Sequence, residues 1–348
     1  MHWKKVKVLG SGSYGTVSLA RPMNVCSSSM IYAAVKSAEF NRSSSLREEG
    51  RILHALRGSE YVVECFGEDV SVENGNNTYN LMLEYADRGT LDDLIHKSKI
   101  MLGESEAAYY AFQILKGISH VHNKGFIHCD LKPANILVFP PTEKYMRLKL
   151  ADFGLSLISD DSWKKHRDFR GTLVYASPES VTSGVYGKQV DIWALGCIVV
   201  EMITGKRIWS RCKSKKELAW KIARLEPVLP YNISNDGKDF LKKCLERDYN
   251  QRWTAEMLLD HPFIKNINAK NMNYGLIHKC NWISTQHLFS TISPYYPNHN
   301  SSCCSRGTSS NNISSLETNN YKVHHTSDHE DFVLGFWDLI SFLFGCIF

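Results

Sequence analysis

Several features that mark other classes of protein are missing or weak in this sequence of 348 residues. The formal net charge is only +5, and no dense block of lysine and arginine stands out, so nucleic-acid binding is not expected. No internal repeat is visible, and nothing therefore indicates a repeat architecture. The first residues, Met1–Lys4, lead into polar sequence rather than into a signal peptide.

The chain has ten cysteines, and the six up to residue 244 lack the short spacing that is typical of a metal site. These six are scattered along the chain, at Cys26, Cys65, Cys129, Cys197, Cys212 and Cys244. Because no signal peptide accompanies them, we expect reduced thiols and a cytoplasmic or nuclear location.

The composition favours a globular domain with a substantial core, since 43% of the residues are hydrophobic and 22% are charged. Up to about residue 85 the pattern predicts strands, Gly-rich turns and one helix, and after that it predicts mainly helices. The predicted strands are Val6–Leu9, Thr16–Leu19, Ile31–Val35, Val62–Phe66 and Tyr79–Tyr85. The predicted helices are Leu46–Leu56 (with Ser45 as its cap), Leu91–His96, Ser105–His122, Gln189–Thr204, Lys215–Leu225 and Asp236–Glu246. The predicted fold class is α+β, with a small β-rich N-lobe over about 3–86 and a larger α-helical C-lobe over about 87–264.

The composition changes again beyond residue 264. Residues 265–330 form a low-complexity tail, rich in Ser, Asn and His from residue 294 onward, which predicts no fixed fold. Residues 331–348 are strongly apolar, but this run is shorter than the roughly 20 residues that a membrane-spanning helix needs, and it contains Asp338. We therefore expect it to contact a membrane surface or the rest of the chain rather than to cross a bilayer.

A glycine-rich turn lies between the first two predicted strands. Gly10, Gly12 and Gly15 are followed by Val17, in the pattern G-x-G-x-x-G-x-V. Glycines let backbone N–H groups approach phosphates closely, because no side chain intervenes. Dinucleotide-binding proteins use a similar pattern, but there a helix follows the turn, whereas here a strand is predicted.

Lys36 ends the predicted strand that contains Ala34, and Glu49 follows on the next helix. A Lys–Glu pair between strand and helix would hold the ammonium group against nucleotide phosphates. Glu48 is the alternative partner. We prefer Glu49, because it places Leu53 one helical turn further on, toward the core.

The most specific segments follow in the predicted C-lobe. They are Ile127–Leu137, which contains Asp130, Lys132 and Asn135; Lys149–Gly154, which contains Asp152; and Ser177–Glu179. In phosphoryl transfer, a carboxylate such as Asp130 orients the attacking hydroxyl. Asn135 and Asp152 are suited to hold Mg²⁺, and Lys132 is suited to steady the γ-phosphate.

With these motifs in this order, residues 3–264 resemble the eukaryotic protein kinase family. The resemblance implies a bilobal kinase fold that uses ATP and Mg²⁺ and phosphorylates a protein substrate. It implies that adenine lies against a hinge at Glu84–Ala86, behind which Leu83 guards a rear pocket. The residues that would sandwich the ring are Val17, Ala34 and Leu137. It also implies a buried ion pair between Glu179 and Arg252.

Two residues indicate serine/threonine specificity within that family. Lys132 lies two residues after Asp130, where tyrosine kinases typically have Ala or Arg. Thr172 matches the threonine that bridges Asp130 and Lys132 in serine/threonine kinases, so we expect a structural role for it before a role as a phosphosite. A tyrosine kinase, a scaffold pseudokinase and a kinase of small molecules fit less well, because all of the motif residues are present.

One position departs from the pattern. Cys129 stands where most kinases have an arginine, which commonly pairs with a phosphate on the activation loop. We therefore expect that the enzyme is active without loop phosphorylation or is controlled mostly by its level and its partners. We also expect an inert thiol at Cys129.

The segments around Cys129, Ser177 and Trp193 are most similar to a branch of plant mitogen-activated protein kinase kinase kinases. This resemblance implies that the substrate is a MAP kinase kinase in stress or hormone signalling. A serine/threonine kinase outside that cascade remains the alternative.

Overall fold

The structure is a computed structural model that describes residues 3–12, 15–23, 32–97, 102–141, 145–159, 164–166, 168–210 and 212–271. The apolar segment 331–348 and most of the predicted low-complexity tail therefore lie outside the described residues.

An antiparallel sheet of five strands forms the N-lobe. The strands are β1 (Trp3–Gly12), β2 (Gly15–Pro22), β3 (Ala33–Glu39), β4 (Cys65–Glu73) and β5 (Asn76–Glu84), in the order β1-β2-β3-β5-β4. One helix, α1 (Ser44–Ala55), connects β3 to β4. The two edge strands also meet through side chains, because Lys5 of β1 forms an ion pair of 2.7 Å with Glu73 of β4. The sheet is thus curled, in keeping with the twist of antiparallel strands.

Two predictions for the N-lobe are wrong in detail. The strand predicted at Val62–Phe66 begins only at Cys65, because the preceding residues connect to the C-lobe instead. The backbone N–H of Val63 donates to the carbonyl of Leu150 at 2.9 Å. Ser45 is not the cap of α1 but lies within the helix, where its hydroxyl donates to the carbonyl of Gly154 at 3.4 Å.

The C-lobe is mainly helical. Its helices are α2 (Leu91–Lys97), α3 (Glu104–Asn123), α4 (Pro178–Ser183), α5 (Gln189–Thr204), α6 (Lys215–Arg224), α7 (Asn235–Cys244), α8 (Ala255–Leu259) and α9 (Pro262–Asn271). Short strands pair antiparallel beside them: β6 (Phe126–Ile127) with β9 (Leu157–Ile158), β7 (Ile136–Phe139) with β8 (Arg147–Leu150), and β10 (Lys164–Lys165) with β11 (Val185–Tyr186).

The centre of the C-lobe is α5, which is buried on all sides from Val190 to Met202. A helix that is apolar all round is a core helix rather than a surface one. Helix α9 continues to Asn271, past residue 264, where the C-lobe was predicted to end. Among the described residues, no helix is both long enough and apolar enough to cross a membrane.

Candidate active site

A buried cluster of charges links β3, α1 and the segment after β8. The ammonium group of Lys36 lies 2.7 Å from Glu49 and 2.9 Å from Asp152. Glu48 instead pairs with Arg51 on the exposed side of α1. Burial alone would lower the pKa of Lys36, but the two carboxylates outweigh this effect and raise it. Burial alone would raise the pKa of Asp152, but the charge of Lys36 outweighs burial, and the pKa of Asp152 is lowered.

The strand register places the predicted adenine contacts on one face of the sheet. Val17 is directly opposite Lys36, and Ala34 is directly opposite Leu83. Since Ala34 and Lys36 are two residues apart, all four side chains share a face. Val17, Ala34, Leu83 and Leu137 of β7 are all half-buried. These four therefore supply apolar surface on two lobes, as a flat aromatic base requires.

The hinge predicted at Glu84–Ala86 begins at the last residue of β5. Glu84 directs its carboxylate to the buried ammonium group of Lys149 at 2.6 Å. It is therefore the backbone of this segment, rather than the side chain of Glu84, that is suited to hydrogen-bond a base. Ala86 lies in the irregular segment between β5 and α2.

The glycine-rich turn joins β1 and β2. A Cβ atom added at Gly10 or Gly12 would meet no atom within 4 Å, so open space adjoins both residues. Gly15 has a φ of +124°, and a Cβ atom there would collide with the carbonyl oxygen of Ser37. Only glycine fits that position.

Asp130 lies at the centre of a hydrogen-bonded group. Its Oδ2 accepts from Lys132 at 2.7 Å and from the side-chain amide of Asn135 at 3.1 Å. Its Oδ1 accepts from the hydroxyl of Thr172 at 2.7 Å, and Lys132 also donates to that hydroxyl at 2.9 Å. Thr172 thus bridges Asp130 and Lys132, which is a structural role. Gly171 precedes it with a φ of +104°, and a Cβ atom there would lie 2.5 Å from the carbonyl oxygen of Cys129.

Asp191 of α5 holds this loop in place. Its carboxylate accepts from the backbone N–H groups of His128 and Cys129, both at 2.9 Å, and contacts the His122 ring at 2.8 Å. Cys129 has a φ of +67°, which costs a non-glycine residue on the order of 1–3 kcal/mol. The hydrogen bonds from Asp191 offset that strain. No role was predicted for Asp191, which lies two residues before Trp193 in a segment that the resemblance includes.

Asn135 and Asp152 fit a divalent cation. Both hydrogen bonds of the Asn135 side chain use its nitrogen, which leaves the amide oxygen as a candidate ligand. The Asp152 side chain is 38% exposed, and only its Oδ1 atom contacts Lys36. The backbone of Asp152 has a φ of +64°. Oxygen atoms from carboxylates and amides are the ligands that Mg²⁺ prefers.

The predicted ion pair below the site is present. Arg252 donates to both carboxylate oxygens of Glu179, at 2.7 and 3.1 Å, and its guanidinium group also donates to two backbone carbonyls. Both residues are buried. A bidentate pair with further hydrogen bonds to the backbone is the arrangement in which a buried salt bridge is tolerated.

Cys129 lies in an apolar cluster with Ile127, Leu157, Tyr186 and Val190. Burial raises the pKa of its thiol well above the usual range. A packing contact thus stands here in place of the arginine that most protein kinases have.

Comparison with known proteins agrees with this geometry. The sequence profile of the protein kinase domain matches residues 3–264. Mitogen-activated protein kinase kinase kinase 20 of Arabidopsis thaliana is 40% identical over 76% of this chain and 78% of its own length. Mitogen-activated protein kinase kinase kinases 18 and 17 of the same plant are 39% and 38% identical over 76% of this chain, and over 78% and 70% of their own lengths. This chain therefore belongs to the protein kinase family, and it is a protein serine/threonine kinase with ATP as its phosphoryl donor.

Proposed function

We propose that this kinase is a MAP kinase kinase kinase, which phosphorylates serine and threonine hydroxyls in the activation loop of a MAP kinase kinase. The observation that supports this proposal is the shared name of relatives that match across 76% of the chain. Stress or hormone signalling, and the cytoplasmic or nuclear location, stay predictions.

The residues of the site have complementary roles in this proposal. Asp130 orients the substrate hydroxyl and accepts its proton, while Lys132 steadies the γ-phosphate. Lys36, held by Glu49, contacts the α- and β-phosphates, and the backbone of the glycine-rich turn covers them. Positioning of this kind supplies most of the rate enhancement in phosphoryl transfer.

Asn135 and Asp152 would hold Mg²⁺, which when bound neutralises negative charge on the transferred phosphoryl group. Lys36 contacts Asp152 directly, so the nucleotide-binding lysine and a proposed metal ligand are positioned together.

A transfer assay with labelled ATP tests the proposal. The substrates are a panel of catalytically dead MAP kinase kinases and a generic basic protein, and the control enzyme carries Asp130→Asn. We expect wild-type enzyme to label one or two panel members on serine or threonine, and the control to label none. Labelling of the basic protein alone would preserve the kinase activity and refute the cascade assignment.

A further inference from the structure

A strongly basic stretch follows α5, contrary to the expectation that the sequence holds no dense block of lysine and arginine. Residues 206–224 contain eight of the 41 lysines and arginines and one acidic residue, Glu217. The stretch carries a net charge of +7 (eight minus one), whereas the whole chain carries +5. The net charge of the whole chain therefore does not reveal that positive charge is concentrated in residues 206–224.

The exposed side of α6 combines this charge with an aromatic anchor. Lys216, Trp220 and Arg224 are spaced by four residues and therefore lie along one side of the helix. Trp220 is 44% exposed. Ala219 and Ile222 are buried against the C-lobe. Lys213 and Lys215 are exposed at the start of the same helix. We name Lys213, Lys215, Lys216, Trp220 and Arg224 the α6 surface.

The α6 surface lies next to the substrate platform. Helix α6 packs against α4 and against the 3-10 turn Leu173–Tyr175. That turn directly follows Thr172, which donates to Asp130. Tyr175 in turn donates to buried Glu201 at 2.7 Å, and Arg207 from the basic stretch contacts Glu201 at 3.7 Å.

From this placement we propose that the α6 surface docks an acidic segment of the protein substrate, with Trp220 covering an apolar residue of that segment. This inference rests on the proposed function, because it concerns how the same site selects its protein substrate. Exposed aromatic residues surrounded by charge of one sign commonly anchor interfaces, while the charge steers association. Insertion into a membrane would need a broad apolar face, and the exposed side of α6 offers one large apolar residue.

Charge reversal with a matched control tests the proposal. The test enzyme carries Lys216→Glu and Arg224→Glu, and the control carries Lys124→Glu and Lys242→Glu, which are exposed at the C-terminal ends of α3 and α7. Both control substitutions act against a helix dipole, so the control tests helix stability at least as severely as the test enzyme does. In the test enzyme one glutamate enters the first turn of α6 and the other enters the last turn, so their effects on the helix dipole oppose each other. A third enzyme carries Trp220→Ala. The substrates are the catalytically dead MAP kinase kinases, casein as a generic acidic protein, and a short serine/threonine peptide without acidic residues.

We expect kcat/KM of the test enzyme on the acidic proteins to fall at least tenfold, mainly through KM, and to lose most of its salt dependence. Trp220→Ala should lower kcat/KM on the same proteins, while the peptide and the control enzyme should show no change. An equal loss on the peptide, an equal loss in the control, or no loss on any protein would overturn the proposal. So would loss of binding to phosphatidylserine vesicles or nucleic acid without loss of protein phosphorylation.

Failure of the cascade assignment gives a different result. In that case wild-type enzyme labels casein but no MAP kinase kinase, and the loss on casein still decides whether the α6 surface docks acidic proteins.

Discussion

At the scale of single residues, the site depends on charges that neutralise one another at short range. Lys36 is 9% exposed, yet it remains an ammonium group because Glu49 and Asp152 lie within hydrogen-bonding distance. Asp130 likewise accepts three side-chain hydrogen bonds, so its carboxylate is held in one orientation. Removing one partner from such a buried group costs considerable free energy, because the remaining charge has neither water nor a partner to stabilise it.

The first prediction concerns Glu49. Replacing Glu49 with Gln should lower kcat/KM about 100-fold, because Lys36 loses the carboxylate that positions it. The matched control is Glu48→Gln, which removes an exposed partner of Arg51 on the same helix and should have no effect. Comparable losses in the two variants would contradict the proposed role of Glu49.

Lys36 and Asp152 together make a prediction about the pH dependence of the wild-type enzyme. The pKa of Lys36 is raised above its ordinary value of 10.5, so the ammonium group persists as pH rises to that value. The pKa of Asp152 is lowered below 3.8, so its carboxylate persists as pH falls to that value. The pair therefore adds no inflection to the profile of kcat/KM between about pH 5 and 10. An inflection in that range that disappears in Asp152→Asn would contradict this expectation.

Substitutions at Thr172 distinguish a structural role for its hydroxyl from a role as a phosphosite. Thr172→Ser keeps the bridge between Asp130 and Lys132 and should retain most activity, whereas Thr172→Val should lose about 10- to 100-fold in kcat. Thr172→Glu should not restore activity, because its carboxylate would face Asp130. Recovery in the Glu variant, measured with a peptide substrate, would favour regulation by phosphorylation.

Cys129 should be chemically inert. Its thiol has a pKa well above the usual range, so little thiolate exists at pH 8 to react with iodoacetamide. Both Cys129 and Cys212 are half-buried, so the raised pKa of Cys129 should decide the order, and mass spectrometry of the native enzyme should find Cys212 alkylated first. Treatment with a phosphatase should also leave activity unchanged, since packing rather than a phosphate holds this region. Activity that is lost on dephosphorylation and regained with ATP would contradict the second expectation.

At the scale of elements, α5 organises the C-lobe. It carries Asp191, which holds the loop before Asp130, and Glu201, which holds the turn before α4 through Tyr175. The Glu179–Arg252 pair then ties α4 to the segment before α8. One core helix thus positions both the reacting carboxylate and the platform for the substrate.

The ion pair beneath the platform gives a prediction of stability. Glu179→Gln should lower the free energy of unfolding by about 3–5 kcal/mol, because Arg252 would remain buried without its partner charge. The double variant Glu179→Gln with Arg252→Met should recover part of that loss. Asp260→Asn, which removes an exposed partner of Lys265, should change it by less than about 0.5 kcal/mol. Denaturant unfolding measures all three, and equal effects in the buried and exposed pairs would refute the argument.

At the scale of the whole molecule, the two lobes are joined by more than the hinge. Leu150 of the C-lobe exchanges backbone hydrogen bonds of 2.9 Å with Tyr61 and Val63, which precede β4. Lys149 of β8 pairs with Glu84 of β5 across the same boundary. These contacts fix the rear of the cleft while leaving the glycine-rich turn at its front.

Deletion of residues 331–348 tests the apolar segment at this scale. All proposed site residues lie between Gly10 and Arg252, so kcat and KM on a peptide should not change. We expect altered fractionation or solubility, because a strongly apolar segment is removed. Identical fractionation and solubility of the two proteins would contradict the expectation.

Chemistry that depends on residue type and spacing was predictable from the sequence. The motifs around Asp130 and Asp152 identified the reaction because few other proteins need those side chains at those intervals. The bounds of α5, Gln189–Thr204, were predicted correctly because its apolar character and length are local properties. Lys36 and Glu49 were paired correctly because helical periodicity distinguishes Glu49 from Glu48.

Contacts between distant parts of the chain were decided only by the tertiary structure. Asp191 receives hydrogen bonds from residues more than 60 positions away, and Glu84 meets Lys149 across 65 positions, which no local pattern encodes. Ser45 was mistaken for the cap of α1, whereas Ser43 holds that position and the Ser45 hydroxyl bonds to Gly154, far along the chain. The α6 surface was not predicted for a related reason. Its proposed role depends on which side of the helix is buried and on the neighbouring substrate platform. Sequence specifies local chemistry, whereas burial and partner choice are set when distant segments pack together.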